Sequence, residues 1–126
     1  MVEWTFEIDE VPTSANQLAR GRSAGWRRKK YAEHRDRWAW EFKRHFLEAN
    51  QPAPTGKREV EVAFYFDKPA RRDPQNYFSK GFIDALVIAG WLEDDSPKWA
   101  SLLPAQCVYD ATRGPATVVT IREEGQ

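Results

Sequence analysis

An α+β fold, with two helices packed on one mixed sheet in the order β-α-β-α-β-β, is what this sequence predicts. Short stretches alternate apolar and polar residues with period two, and two longer stretches repeat apolar residues at helical spacing. No internal repeat, low-complexity tract or second set of elements points to a further domain, so residues 1–126 read as a single small domain. Six Trp, four Tyr and seven Phe within 41% hydrophobic residues supply enough apolar surface for one core, which argues against intrinsic disorder.

Taken in order, Glu3 to Val11 carries Trp4, Phe6 and Ile8 on one side, the pattern of a half-buried strand. Pro12 to Asn16 and Gly21 to Gly25 read as a long polar loop. Trp26 to Ala49 lacks Gly and Pro and spaces Tyr31, Trp38, Phe42 and Phe46 as an amphipathic helix would, with Lys30, Arg37 and Arg44 recurring every seven residues as a basic stripe. Gln51 to Gly56 is a turn. Val60, Val62, Phe64 and Phe66 then alternate as a second strand, ended by Pro69. Asp73 before Pro74 has the form of an N-cap followed by a proline at the first helical position. A hydrophobic helix is predicted from there through Phe78, Phe82, Ala85, Leu86 and Ala89 to a stop at Gly90. Lys98 to Asp110 has strand character, Arg113-Gly114-Pro115 turns the chain, and Thr117 to Ile121 returns it, which predicts a terminal hairpin.

The net charge of zero, from 19 basic and 19 acidic residues, conceals a polarised distribution. Between Arg20 and His45 ten basic residues face three acids, a local net of +7, while residues 1–19 hold four acids and no base. Screening limits the reach of exposed charges to about 10 Å at 0.1 M salt, so a phosphate backbone would respond to the local balance rather than the sum. Arg20, Arg22, Arg27, Arg28, Lys29, Lys30, Arg37 and Arg44 are therefore candidate DNA contacts. A solvated helix face accounts for the same stripe as well.

Cys107 is the single cysteine, so neither an intramolecular disulfide nor a cysteine zinc cluster can form, which fits a reducing cytoplasm. The acidic start lacks the basic and apolar regions of a secretory signal, and no stretch approaches the roughly 20 apolar residues of a membrane span. A cytoplasmic protein with no membrane partner is expected. His34 and His45, without metal-ligand spacing, are expected at the surface. The tryptophans are expected in the core or at a dimer surface, with one near the basic loop able to stack a base.

The chemistry-bearing stretch runs from Arg71 through Asp73-Pro74-Gln75-Asn76, Lys80 and Asp84-Ala85-Leu86 to Gly90 and Asp94-Asp95. Acids beside arginines are what a Mg²⁺-dependent phosphodiesterase uses: carboxylates hold the ion, and cations neutralise the phosphate. This stretch resembles the signature of the RusA family of Holliday junction resolvases, D-x-D-N-x-x-K-x-x-x-D-A-L followed by a Gly-containing turn and a D-D pair. Pro12-Thr13-Ser14-Ala15-Asn16 resembles that family's P-x-S-x-N element. The resemblance implies a RusA-like fold and a bacterial or phage-encoded homodimer that binds branched, four-way DNA and cuts it with Mg²⁺, for which Mn²⁺ would substitute. It implies Asp73 and Asp95 as principal metal ligands with Asp94 in support. Lys80 would act at the scissile phosphate, Arg71, Arg72 and Asn16 would engage DNA, and Asn76 and Asp84 would support the helix.

The sequence departs from the pattern at the second acid, which is Gln75, and by one extra residue before Lys80. Anchored on Lys80 and Asp84 instead, Asn76 falls at the second acid and Pro74 at the first. On either alignment one carboxylate is replaced by an amide, which offers a carbonyl oxygen but no charge to Mg²⁺. Two functional classes therefore stand side by side: a nuclease, and a DNA-binding protein that has lost cleavage. A small scaffold without a nucleic-acid role is the third reading.

Overall fold

The computed structural model describes residues 2–20, 23–50 and 52–123. Arg22, a candidate DNA contact, lies outside them.

Among the described residues five strands form one mixed sheet: β1 (Val2–Ile8), β2 (Arg58–Phe66), β3 (Ala100–Leu102), β4 (Gln106–Tyr109) and β5 (Ala116–Glu123). Strand β5 lies between β1 and β2 and is antiparallel to both, so the period-two patterns come into register across three strands. Trp4, Ile121 and Val60 align, as do Phe6, Val119 and Val62, and then Ile8, Thr117 and Phe64. These inward positions make one apolar face. Thr117 is the polar exception, and its buried hydroxyl donates to the Glu10 carbonyl at 2.8 Å, which removes the cost of an unpaired group. On the opposite face Arg122 reaches Glu61 at 2.7 Å, Glu59 at 2.9 Å and Glu3 at 3.4 Å.

The predicted terminal hairpin does not form. Strands β3 and β4 run parallel to β2 along its other edge, β3 beside Arg58–Val60 and β4 beside Ala63–Phe66. Pro104, lacking an amide proton, sits in the break between these two short edge strands. Strand β5 instead needs a partner on each side, because Val119 and Ile121 are buried and the strand pairs along nearly its whole length with both β1 and β2.

The helices cover the apolar face. Helix α2 (Ala24–Glu48) buries Trp38, Ala39 and Phe42, and α3 (Lys80–Ala89) buries Gly81, Phe82, Ala85, Leu86 and Ala89. Phe42 and Phe82 meet at 5.0 Å between ring centroids, and Phe6 stacks on Trp91 at 5.1 Å. The Trp91 indole donates to the Phe42 carbonyl at 2.9 Å, so this buried ring leaves no polar atom unpaired. Gly90 caps α3 at φ 100°, a left-handed conformation that suits glycine, against the Phe46 ring.

Two boundaries and one expectation of exposure differ from the sequence reading. The polar loop contains a short helix, α1 (Ala15–Leu18), capped by Ser14 in a reciprocal box with Gln17. Asp73 and Pro74 start only a 3₁₀ turn, Pro74–Asn76, and α3 restarts behind Ser79, whose hydroxyl accepts from the Phe82 amide. The break lets Tyr77 pack on Phe64 and Phe66 while Phe78 packs on Phe82. His34 and His45, expected at the surface, are largely covered: His34 lies beside Trp38, and His45 stacks on Phe6 at 4.8 Å. Burial holds both imidazoles below their ordinary pKa, with Arg37 adding to the effect at His34 and Arg44 at His45.

An interior guanidinium ties the sheet to the helices. Arg58, at the start of β2 and 1% exposed, donates to Glu123 at 3.0 Å and to the Trp91 carbonyl at 3.0 Å. Its charge lies 4.5 Å from the Trp4 ring centroid.

Candidate active site

Helix α3 begins at Lys80, so this lysine is in the first turn rather than inside the helix as expected. Its side chain is exposed, and its ammonium lies 3.5 Å from Asp84 and 3.8 Å from Asp95. The i,i+4 spacing within α3 accounts for the first contact. The second brings the acidic loop after α3 back to the helix start. Asp84 is also held by Tyr31 of α2, whose hydroxyl donates to it at 2.5 Å. Gly81 makes room for that ring: a Cβ there would stand 3.2 Å from Tyr31 Cε2.

Tyr31 carries the electrical signature of this arrangement. Burial first, then its hydrogen bond to Asp84 and the charge of Asp84, push its phenol up to about 12, with Arg35 opposing. A phenol whose folded pKa is raised binds its proton more tightly in the native state. Its contribution to stability is therefore full below pH 10 and lost as pH rises through about 12. Alkaline difference spectroscopy should show one tyrosine titrating late, and Asp84→Asn should bring that step back toward 10; a late step unmoved by Asp84→Asn would disprove the coupling.

Beside the cluster, Ala15, Leu18, Arg27, Tyr31, Ser79 and Lys80 line a groove of about 270 Å³. The groove joins three parts of the chain that the sequence singled out separately. Asn16, exposed, belongs to α1, whose Ala15 and Leu18 form one wall. Arg27 comes from the basic segment, and Lys80 from the signature. Past Tyr31 a shallower hollow is lined by Arg27, Arg28, Tyr31 and Arg35.

The remaining expected residues are placed as follows. Asp73 is exposed, and one carboxylate oxygen accepts from the Gln75 amide at 3.0 Å. Gln75 is exposed, and Asn76 closes the 3₁₀ turn by donating its amide to the Asp73 carbonyl. Arg72 lies over Phe66 at 3.8 Å and donates to the Lys68 carbonyl, whereas Arg71 is exposed. Both Arg72 and Asp73 act on Cys107: burial raises its thiol, the arginine opposes this and the aspartate adds to it. Asp94, Arg20 and Lys29 are exposed. Each member of the basic stripe has an acid: Lys30 pairs with Glu33, Arg37 with Glu10, and Arg44 with Glu41 and Glu48.

The carboxylates that meet are therefore Asp84 and Asp95, through Lys80, and Asp73 makes no hydrogen bond or ion pair with them. Among the described residues no three His, Cys, Asp or Glu side chains converge as a metal-binding group. Mg²⁺ characteristically takes one or two carboxylates and completes its octahedron with water and phosphate oxygens. Here the two carboxylates share one ammonium, that of Lys80. Sequence reasoning assigned Asp84 to helix support and Tyr31 to the aromatic stripe. The contact between them spans 53 positions and leaves no local signal.

No protein-family model matches the chain, and no curated protein matches it. Among the described residues no helix is long and apolar enough to cross a membrane.

Proposed function

We propose that the protein is a RusA-like, Mg²⁺-dependent endodeoxyribonuclease that binds branched DNA, four-way junctions in particular, and hydrolyses its phosphodiester bonds in a bacterial or phage-infected cytoplasm. The observation that carries this reading is the groove in which Arg27 of the basic segment and Lys80 of the signature stand together, next to the Asp84–Asp95 pair. Mg²⁺, or Mn²⁺ in its place, would supply charge neutralisation at the scissile phosphate and a polarised water. Asp84 and Asp95, both part of the family pattern and both within reach of the Lys80 ammonium, would hold the ion together. Tyr31 orients Asp84. Lys80, exchanging its carboxylates for phosphate, would neutralise charge that develops on the reacting oxygens. Arg27 and Arg28 would grip flanking phosphates, and Arg71 would extend that contact. A homodimer would present two such grooves to the two equivalent strands of a junction.

A second reading is favoured by two observations: the Lys80 ammonium already pairs with the two carboxylates, and Gln75 stands where the family has an acid. A protein of this kind would hold the junction without cutting it. Binding separates both readings from a scaffold role. A fluorescent four-way junction should bind with an affinity that falls steeply with salt, and Arg27→Glu with Arg28→Glu should weaken it at least tenfold and flatten the salt slope. Binding to the junction no tighter than to linear duplex, or unaffected by the double substitution, would refute the assignment of the groove.

A further inference from the structure

The groove beside Lys80 has a lining that contact with a phosphate backbone alone does not call for. It is mostly apolar: Ala15, Leu18 and Ala19 come from α1 and its C-cap, and Tyr31 comes from α2. Phosphates are held by cations, hydroxyls and amide protons and gain nothing from such walls. Those polar groups are present as well, at the other side of the groove. Arg27 and Lys80 bring positive charge, and Ser79, Lys80 and Gly81 are the cap and the first turn of α3. The amides of Lys80 and Gly81 precede any intrahelical acceptor, and with the dipole of the helix they favour an anion. The Ser79 hydroxyl accepts from the Phe82 amide at 3.4 Å and keeps its own proton to donate.

A ligand that matches this lining is anionic at one end and flat and apolar at the other. A nucleotide is both. The volume of the groove, about 270 Å³, falls just short of the roughly 300–1,000 Å³ of pockets that enclose drug-sized ligands, which suits one base rather than a stacked pair. A base still paired in a duplex presents only its edge, so its face meets Leu18 and Tyr31 only after leaving the stack. Aromatic and apolar side chains beside cations are also how proteins hold the bases of single strands. We infer that the groove is a subsite for one unstacked nucleotide of the bound DNA, its base against Leu18, Ala19 and Tyr31 and its phosphate at Arg27 and the start of α3. The inference rests on the DNA-binding reading above and adds to it a preference for an unpaired base.

Two four-way junctions test it, one with a single unpaired thymidine at the point of strand exchange and one with an abasic residue in its place. They share every phosphate and differ by one base. Affinities are measured by fluorescence anisotropy with the full chain and no divalent ion, so that no cleavage intervenes. The wild type should bind the base-bearing junction about tenfold tighter, in line with the effect of one stacked base. Leu18→Asp should reduce that ratio below about twofold, and so should Ala19→Trp, which fills the groove from an exposed position and provides an independent test should the first variant fail to fold. Because each ratio is taken within one variant, a general loss of affinity cancels. Equal affinity of the wild type for the two junctions, or a ratio that survives both substitutions, overturns the inference and leaves the junction-binding reading intact. Binding of neither junction more tightly than linear duplex overturns that reading and the inference with it.

Discussion

Replacing Arg58 with alanine is expected to cost about 3–5 kcal/mol of folding stability, because breaking a buried pair leaves its partner charged and unpaired. The side chain is almost fully enclosed, donates to Glu123 and to the Trp91 and Pro52 carbonyls, and lies over the Trp4 ring. Its loss leaves Glu123 without its guanidinium, the Trp91 carbonyl without a donor and the Trp4 ring without its cation. Against the total of about 5–15 kcal/mol for an ordinary domain, such a loss approaches unfolding. Urea denaturation measures it directly. The double substitution Arg58→Met with Glu123→Leu should recover much of the loss, since an apolar pair of similar volume removes the stranded charge. A single substitution costing under about 1 kcal/mol would show that the pair lies at the surface in solution.

The same pair gives stability a defined acid limb. Burial pushes the Glu123 carboxyl up, but its hydrogen bond to Arg58, the Thr55 amide and the charge of Arg58 together outweigh this and hold it below its ordinary value of 4.5. A depressed carboxylate contributes stability that is present above the unfolded value and lost as pH falls through the folded one, so this part disappears only below about 4.5. The covered imidazoles act earlier. His34 and His45 are held below 6.5, so their contribution is present above that pH and declines as acid charges them. Glu123→Gln should shrink the lower limb of the stability–pH curve, to which Asp110 also contributes, and leave the upper one.

Second in size is the loss expected at the cluster. If the groove cleaves DNA, Lys80→Ala should lower the rate constant by about 10²–10³, the usual effect of removing one group aimed at developing charge, with little change in junction affinity. Asp95→Asn should do the same and should also raise the Mg²⁺ concentration needed for half-maximal rate, because it removes charge from the proposed ion site. Tyr31→Phe, which leaves Asp84 in place but unoriented, should cost less than either. Equal losses for all three, accompanied by lower melting temperatures, would assign the cluster to folding instead.

The sequence makes some of this legible. Strands β1 and β2 announce themselves because one face of each is buried, and α2 because its aromatic positions fall on a single stripe. What fails is whatever depends on distant partners. The Gly114-Pro115 turn looks like a hairpin, yet β5 is drawn between β1 and β2 because Val119 and Ile121 need cover that one neighbour does not supply. Asp73 and Pro74 look like a helix start, yet the turn ends at Asn76 and Tyr77 packs on Phe64 and Phe66. Nothing local marks Arg58 as an interior charge, because its partner Glu123 lies 65 positions away. At the candidate site Lys80 with Asp84 is visible as an i,i+4 pair. The approach of Asp95 and Tyr31 depends on how the loop after α3 and the N-terminal half of α2 are carried to the same end of that helix.

The proposed nuclease stands or falls on one assay: purified wild-type protein incubated with a synthetic four-way junction in Mg²⁺ and, separately, in Mn²⁺. Paired nicks in the wild type, suppressed in Lys80→Ala and increased by Gln75→Asp, are the expected result. Tight binding of the junction with no cleavage in either ion, and none restored by Gln75→Asp, would contradict it.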